Sequence, residues 1–309
     1  DRTLTPMGSR LLRNWLCYPL RDVAEIRRRQ DAVEELVREE PALAKIRGSL
    51  AECSDIERIT ARLCCRRASP RDLVALARSL GTLTAAAVTL AELAAHSGDG
   101  THWEGLLDAA PAGNDIAAQI RCCLADEPPG HLRDGHVIRD GCNAELDRLR
   151  ALSRDSRTFL AEYQAKLAAR CSIPSLKVGY NKVFGFYIEV THTHADKIPA
   201  DFIRKQTVKN AERYITPELK QYEPDILTAQ ERSLALEQEL FEQLRIELAG
   251  HVEGLQKLAL AAASLDVFCS LAHLARSRHY CRPEITTGRE LVIVDGRHPV
   301  VEQVLGEKF

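Results

Sequence analysis

Residues 175–190 read SLKVGYNKVFGFYIEV, and residues 203–218 read IRKQTVKNAERYITPE. Leu176, Val178 and Tyr180 recur at every second position, as do Phe184, Phe186, Ile188 and Val190. A period of two belongs to strands. Tyr180-Asn181-Lys182 is the expected turn between them, because asparagine tolerates turn geometry. Pro174 breaks the helix leading in. Thr216-Pro217-Glu218 opens the helix leading out, with an N-cap and a proline at the first helical position. The segment is therefore expected to form a small antiparallel sheet. Its polar side carries Lys177, Lys182, Arg204, Lys205, Lys209 and Arg213, residue types that suit a phosphate backbone.

The flanks have a different period. Thr5-Pro6 reads as a helix start, and Leu11, Leu12, Trp15 and Leu16 follow at helical spacing. Ala24, Ile26, Val33 and Leu36 continue after a break near Pro19, and Ser69-Pro70 opens a helix with Leu73, Leu76 and Leu80 on one face. The alanine-rich run 85–95 is expected to pack closely on a neighbour. His96 to Gly100 and Glu127-Pro128-Pro129-Gly130 read as breaks. After Asp140-Gly141 a long helix is expected to about Cys171, with Leu146, Leu149, Leu152, Leu160, Tyr163 and Leu167 forming a stripe. A second long run, from Thr216 towards Leu248, carries Leu234, Leu240 and Leu244, and a third extends from Val252 to Tyr280. At 1.5 Å per residue the first two span roughly 40–45 Å each, enough for an antiparallel arm with the sheet at its tip. Pro224 is expected to break or kink the returning helix, since it removes a hydrogen bond to Lys220. The fold class is thus mainly α: a long helical core with a helical arm carrying a small antiparallel β clamp. The divisions expected are 1–140 (first part of the core), 141–173 (outgoing arm helix), 174–216 (clamp), 217–282 (returning arm helix and second part of the core) and 283–309.

Net charge is −2 over 309 residues, so any nucleic-acid signal is local. Residues 203–213 hold four basic side chains against one acid, Glu212. On composition alone such an excess reads as an ordinary solvated face. The ten cysteines show no paired C-x-x-C motifs at zinc spacing, and the chain lacks a signal-peptide pattern. They read as reduced, mostly buried thiols of a cytoplasmic protein, with no redox role. No apolar run reads as a membrane span, so no membrane partner is expected. Starting at Asp1 and ending at Phe309, the chain reads as a piece of something longer.

LKVGYNKVFGFYIEV and RKQTVKNAERYITPEL closely resemble the clamp strands of MutS-family DNA mismatch repair proteins. DRTLTPMGSRLLRNWLCYPLRD, IRRRQDAVEEL, DIERITARL and SPRDL are similar to that family's helical core, and VIVDGRHPVVEQVLGEKF to the lead-in to its ATPase domain. The resemblance runs end to end. It implies that 283–309 begins an ATPase domain whose phosphate loop lies downstream, and that the parent is a DNA-dependent ATPase using ATP and magnesium. It also implies double-stranded DNA as partner, a homodimer, and a downstream mismatch repair factor. Phe309 matches a position where the family stacks an aromatic ring on adenine. The family's Phe-x-Glu mismatch reader does not occur here.

The resemblance places DNA-backbone contacts at Lys209 and Asn210, with Arg204 and Lys205 assisting, and at the loop holding Thr193 and His194. The alternative for Arg204 and Arg213 is pairing with Glu189 or Glu212 across the sheet, and for Arg213 pairing is preferred. His192, His194 and Asp196 are spaced as ligands might be, but loop histidines are mostly solvated and a closed site needs more ligands, so no metal is expected. No G-x-S-x-G, H-E-x-x-H or G-x-x-x-x-G-K-[ST] occurs, and Glu39-Glu40 reads as a solvated face. No catalytic residue, cofactor or ATPase activity is therefore expected of this chain alone. The competing reading is a helical scaffold or arm that docks a protein partner or a tRNA.

Overall fold

The computed structural model describes residues 1–97, 102–181, 185–208 and 210–305, with the side chains at 155–159, 195–196, 222–227, 303 and 305 outside that description. Six helices come first: α1 (Pro6–Cys17), α2 (Val23–Arg38), α3 (Glu40–Ala51), α4 (Ile56–Cys64), α5 (Pro70–Ser97) and α6 (Glu104–Cys123). The long α7 (Ala144–Cys171) leads to strands β1 (Lys177–Asn181), β2 (Gly185–Thr191), β3 (Ile203–Val208) and β4 (Ala211–Ile215). Helix α8 (Pro217–Ala249) returns, followed by α9 (Val252–Arg278) and the short α10 (Val301–Leu305). The fold is mainly α with one four-stranded antiparallel sheet, ordered β1-β2-β4-β3.

The described residues form two apolar cores. The larger gathers α1–α6, the start of α7, the end of α8, and α9. Helix α9 lies at its centre, touching α1, α2, α3, α4 and α6. It is buried on most of its circumference, from Leu255 to Ala272. Helices α5 and α9 are long and apolar enough to cross a membrane by length and composition, contrary to the expectation above. Their packing in this core accounts for that composition. Thr5 caps α1 by accepting a 2.9 Å bond from the Gly8 amide. Fully buried Asp266 of α9 receives the Thr5 amide (2.7 Å), the Thr5 hydroxyl (2.7 Å) and the Leu4 amide (2.9 Å). This pins the chain start to the central helix. Gly8 is required there, because a Cβ would stand 2.2 Å from the Asp266 Oδ2.

The smaller core lies where α7 ends and α8 begins: Tyr163, Leu167, Cys171, Ile173, Leu176, Phe186, Ile188, Val190, Phe202, Tyr214, Ile215 and Leu219. Ser172 ends α7 in the left-handed region (φ 55°), and Thr216 caps α8 through the Leu219 amide. At 1.5 Å per residue, α7 is about 42 Å long and α8 about 50 Å, so the sheet sits at the far end of a helix pair.

Several expectations need correction. Tyr180 and Asn181 belong to β1, paired with Phe186 and Gly185, so these two are strand and not turn residues. Lys182 and Phe184 lie outside the described residues. Helix α8 is unbroken through position 224. One lost hydrogen bond is absorbed because both flanks are anchored, by Leu219 in the small core and Ala229 along the arm. Leu152 is exposed, so the α7 stripe is not continuously buried. Only Cys53, Cys171 and Cys269 are buried, and six cysteines are exposed. Leu291–Val294 is exposed, with no neighbouring strand among the described residues.

Candidate nucleic-acid interface

Alternation decides which side of the sheet is available. Phe186, Ile188 and Val190 of β2 and Tyr214 of β4 pack towards Tyr163, Leu167 and Cys171 on the last turns of α7. The intervening residues face away. There the Arg213 guanidinium stacks on the Tyr187 ring at 4.1 Å, ion-pairs with Glu189 at 3.0 Å and donates to Gln206 at 3.2 Å. The preferred pairing of Arg213 across the ladder is what the structure contains. Its Nε and Nη1 are committed to partners across the sheet.

The end of the sheet is different. Register pairs Thr191 with Ala211, and Val208 with Ala211, so the loop after β2 and the turn before β4 lie side by side. The His192 amide donates to the Asn210 carbonyl (3.4 Å), and the His192 Nε2 lies 3.3 Å from the Val208 carbonyl. A carbonyl only accepts, so this nitrogen carries the proton. His192 thus staples loop to turn, a role its sequence neighbourhood does not signal. Thr193 shares a 3.0 Å bond with Thr191, His194 is half-buried, and the Asn210 side chain is exposed. Thr193, His194 and Asn210 are therefore brought together at one end. Lys209, the leading candidate, lies outside the described residues.

Arg204 and Lys205 lie on the edge strand β3, three to four residues from that turn, or roughly 10–13 Å along the strand. The register slips between Arg204 and Gln206, leaving Lys205 as the bulged residue with an exposed side chain. A charged bulge also protects an edge from pairing with another chain. Arg204 ion-pairs with Glu212 at 2.7 Å and donates to Thr207 at 2.6 Å. Glu212 also accepts from the Tyr214 hydroxyl. Burial, then Glu212, pushes the Tyr214 pKa up to about 12, so this hydroxyl stays a donor. The acid nearest the tip is thus shared by a buried phenol and an exposed guanidinium.

The root of the arm holds a buried charge network that the sequence did not reveal. Arg150 of α7 and Glu237 of α8 meet at 2.7 Å with side chains 6% and 3% exposed. Arg150 also donates to the Ile138 carbonyl (2.8 Å) and pairs with Asp140. Glu237 accepts from the His136 (3.1 Å) and Val137 (2.9 Å) amides. Both charges are solvated by protein, and both helices are fixed to the 124–143 segment.

Among the described residues, no group of three or more His, Cys, Asp or Glu side chains is placed to hold a metal ion. The Asp196 side chain and Phe309 lie outside the described residues.

The architecture is a helical body with a two-helix arm that carries a small four-stranded sheet. Residues 1–272 match the family described as MutS domain III, and the chain belongs to that family. It is 44% identical over its whole length to a DNA mismatch repair protein MutS of Salinibacter ruber, covering 34% of that protein. It is likewise 44% identical over its whole length to the Trichormus variabilis protein of the same description (36% covered). With that of Rhodopirellula baltica it shares 45% identity over 99% of its length, again covering 34% of the relative. The chain thus spans about a third of the length of these curated relatives.

Proposed function

We propose that this chain is the core and clamp portion of a mismatch-recognition ATPase of DNA repair. In this reading the end of the sheet grips the duplex backbone without reading bases. Lys209 and Asn210 lead, Thr193 and His194 line the adjoining loop, and Arg204 and Lys205 extend the contact along β3. The helices of the arm and core couple that grip to a nucleotide-binding domain. The divisions 1–140, 141–173, 174–216, 217–282 and 283–309 serve these roles in turn, the last beginning the ATPase domain. ATP with magnesium, a homodimeric state, a downstream mismatch repair factor and a cytoplasmic setting belong to the whole protein. Phe309 stacks on adenine there. Alone, this chain does not turn over ATP, since its sequence has no phosphate loop.

The observation that carries this reading is a family match that includes the β insert, combined with exposed polar side chains at the end of that sheet. Backbone contacts give affinity and orientation, whereas base contacts give sequence preference. The test is a titration of the chain with matched and mismatched duplex over a salt series. Binding with a dissociation constant of about 10⁻⁴–10⁻⁶ M, equal for both duplexes and weakening steeply with salt, is expected. Salt-independent binding to a protein partner, with none to duplex, supports the scaffold reading instead.

A further inference from the structure

Cys123 is the last residue of α6, and Cys142 lies in the turn before α7. The backbone brings them together. Leu124 and Ile138 form an antiparallel bridge, and the Arg139 amide donates to the Cys123 carbonyl at 2.8 Å. The Cys142 amide then returns to the Arg139 carbonyl at 3.3 Å, closing a turn in which Gly141 has φ +86°. Cys142, three residues beyond the partner of Cys123, is thus turned back towards it. The two side chains are close enough for Cys142 to bear on the ionisation of Cys123. Burial first, then Cys142, hold that thiol up at about 11. Cys142 is exposed and Cys123 half-buried, so one sulfur of the pair meets solvent while the other is shielded.

We propose that Cys123 and Cys142 are a modification site for a small hydroperoxide, which joins them as a disulfide clipping the end of α6 to the entry of α7. The exposed Cys142 sulfur, as thiolate, attacks one oxygen of hydrogen peroxide. The O–O bond breaks, one water leaves after protonation, and Cys142 becomes a sulfenic acid. The Cys123 sulfur then attacks the Cys142 sulfur, the S–O bond breaks, and the hydroxyl leaves with the Cys123 proton as a second water. Two thiols lose two electrons and peroxide gains them. A high thiol pKa makes Cys123 a slow attacker in free solution, and enforced proximity offsets this. The clip falls on the ribbon whose His136, Val137, Ile138 and Asp140 hold Glu237 and Arg150, so oxidation braces the root of the arm.

The test uses the full chain with Cys122→Ser, which removes the exposed neighbouring thiol as a competitor. After treatment with hydrogen peroxide and blocking of free thiols, trypsin leaves residue 123 in peptide 122–133 and residue 142 in peptide 140–148. The expected product is these two peptides joined with loss of two hydrogens, separated again by dithiothreitol. It is absent after a further Cys142→Ser change, and it accompanies a rise in Tm. Four outcomes overturn the proposal: Cys142 as sulfinic acid beside a free Cys123, Cys142 joined to another chain, Cys142 joined to a different cysteine, or both thiols unreacted while other exposed cysteines oxidise.

Discussion

At the root of the arm, two buried opposite charges are met by a carbonyl, two amides and a second carboxylate. At its far end, a 2.6 Å hydrogen bond between the Tyr163 hydroxyl and Thr216 joins α7 to the N-cap of α8, above a core of twelve buried side chains. The first arrangement is costly to break from either side. The second is local and lies beneath an exposed polar rim. If the arm acts as the lever proposed above, this asymmetry suits it: the root holds its angle and the tip offers an exposed surface. The largest expected effect follows from the root. Glu237→Ala leaves Arg150 buried without its main partner and two amides unsatisfied. Removing one member of such a pair costs about 3–5 kcal/mol. Urea unfolding of the chain should show a loss of that size, and a loss below about 1 kcal/mol would mean that the root is wet.

Two glycine substitutions sharpen the contrast. In the large core, Gly8→Ala drives a Cβ to within 2.2 Å of a carboxylate that also holds Leu4 and Thr5, and backbone must shift. A loss of about 2–3 kcal/mol is expected from overpacking. In the clamp, Gly179→Ala meets the Tyr187 ring at 2.8 Å, but that ring lies on the outward face and can swing with Arg213. The expected loss is about 1 kcal/mol or less. Thermal melts of the two variants should rank in that order. Tyr163→Phe falls between them, at about 1 kcal/mol for one buried hydrogen bond.

Local signals were legible in the sequence where they act locally. Thr5-Pro6, Ser69-Pro70 and Thr216-Pro217 each open a helix where expected, because capping depends on residues within one turn. The period of two in 176–190 marked strands, and Leu176, Phe186, Ile188 and Val190 of that pattern are buried beside α7 while Tyr180 is exposed. The preference for Arg213 pairing followed from strand chemistry. What stayed hidden is non-local. The pairing of Arg150 with Glu237 has no signal in the sequence, because nothing within several residues of either shows that the other will be buried opposite. The bulge at Lys205 and the link from His192 to Val208 depend on register, which alternation alone does not give. Pro224 does not end α8, because its cost is local whereas the anchors of the helix lie on both sides of it.

The smallest effects on stability, and the most informative on function, belong to the tip. Lys209→Ala should leave the melting temperature nearly unchanged, since surface substitutions usually fall within about 0.5 kcal/mol. It should weaken duplex binding equally for every sequence and lower the salt slope by about one unit. Arg204→Ala should do less, because Arg204 already neutralises Glu212 and a phosphate must displace that carboxylate. Glu212→Gln reverses the sign. It keeps an acceptor for the Tyr214 hydroxyl, removes a negative charge and frees the guanidinium, so duplex binding should tighten and the salt slope steepen. Fluorescence anisotropy of a labelled duplex at several salt concentrations reads all three. If Glu212→Gln and Arg204→Ala both leave affinity and slope unchanged, Arg204 is an edge-strand ion pair and the grip is confined to the turn and the adjoining 191–194 loop.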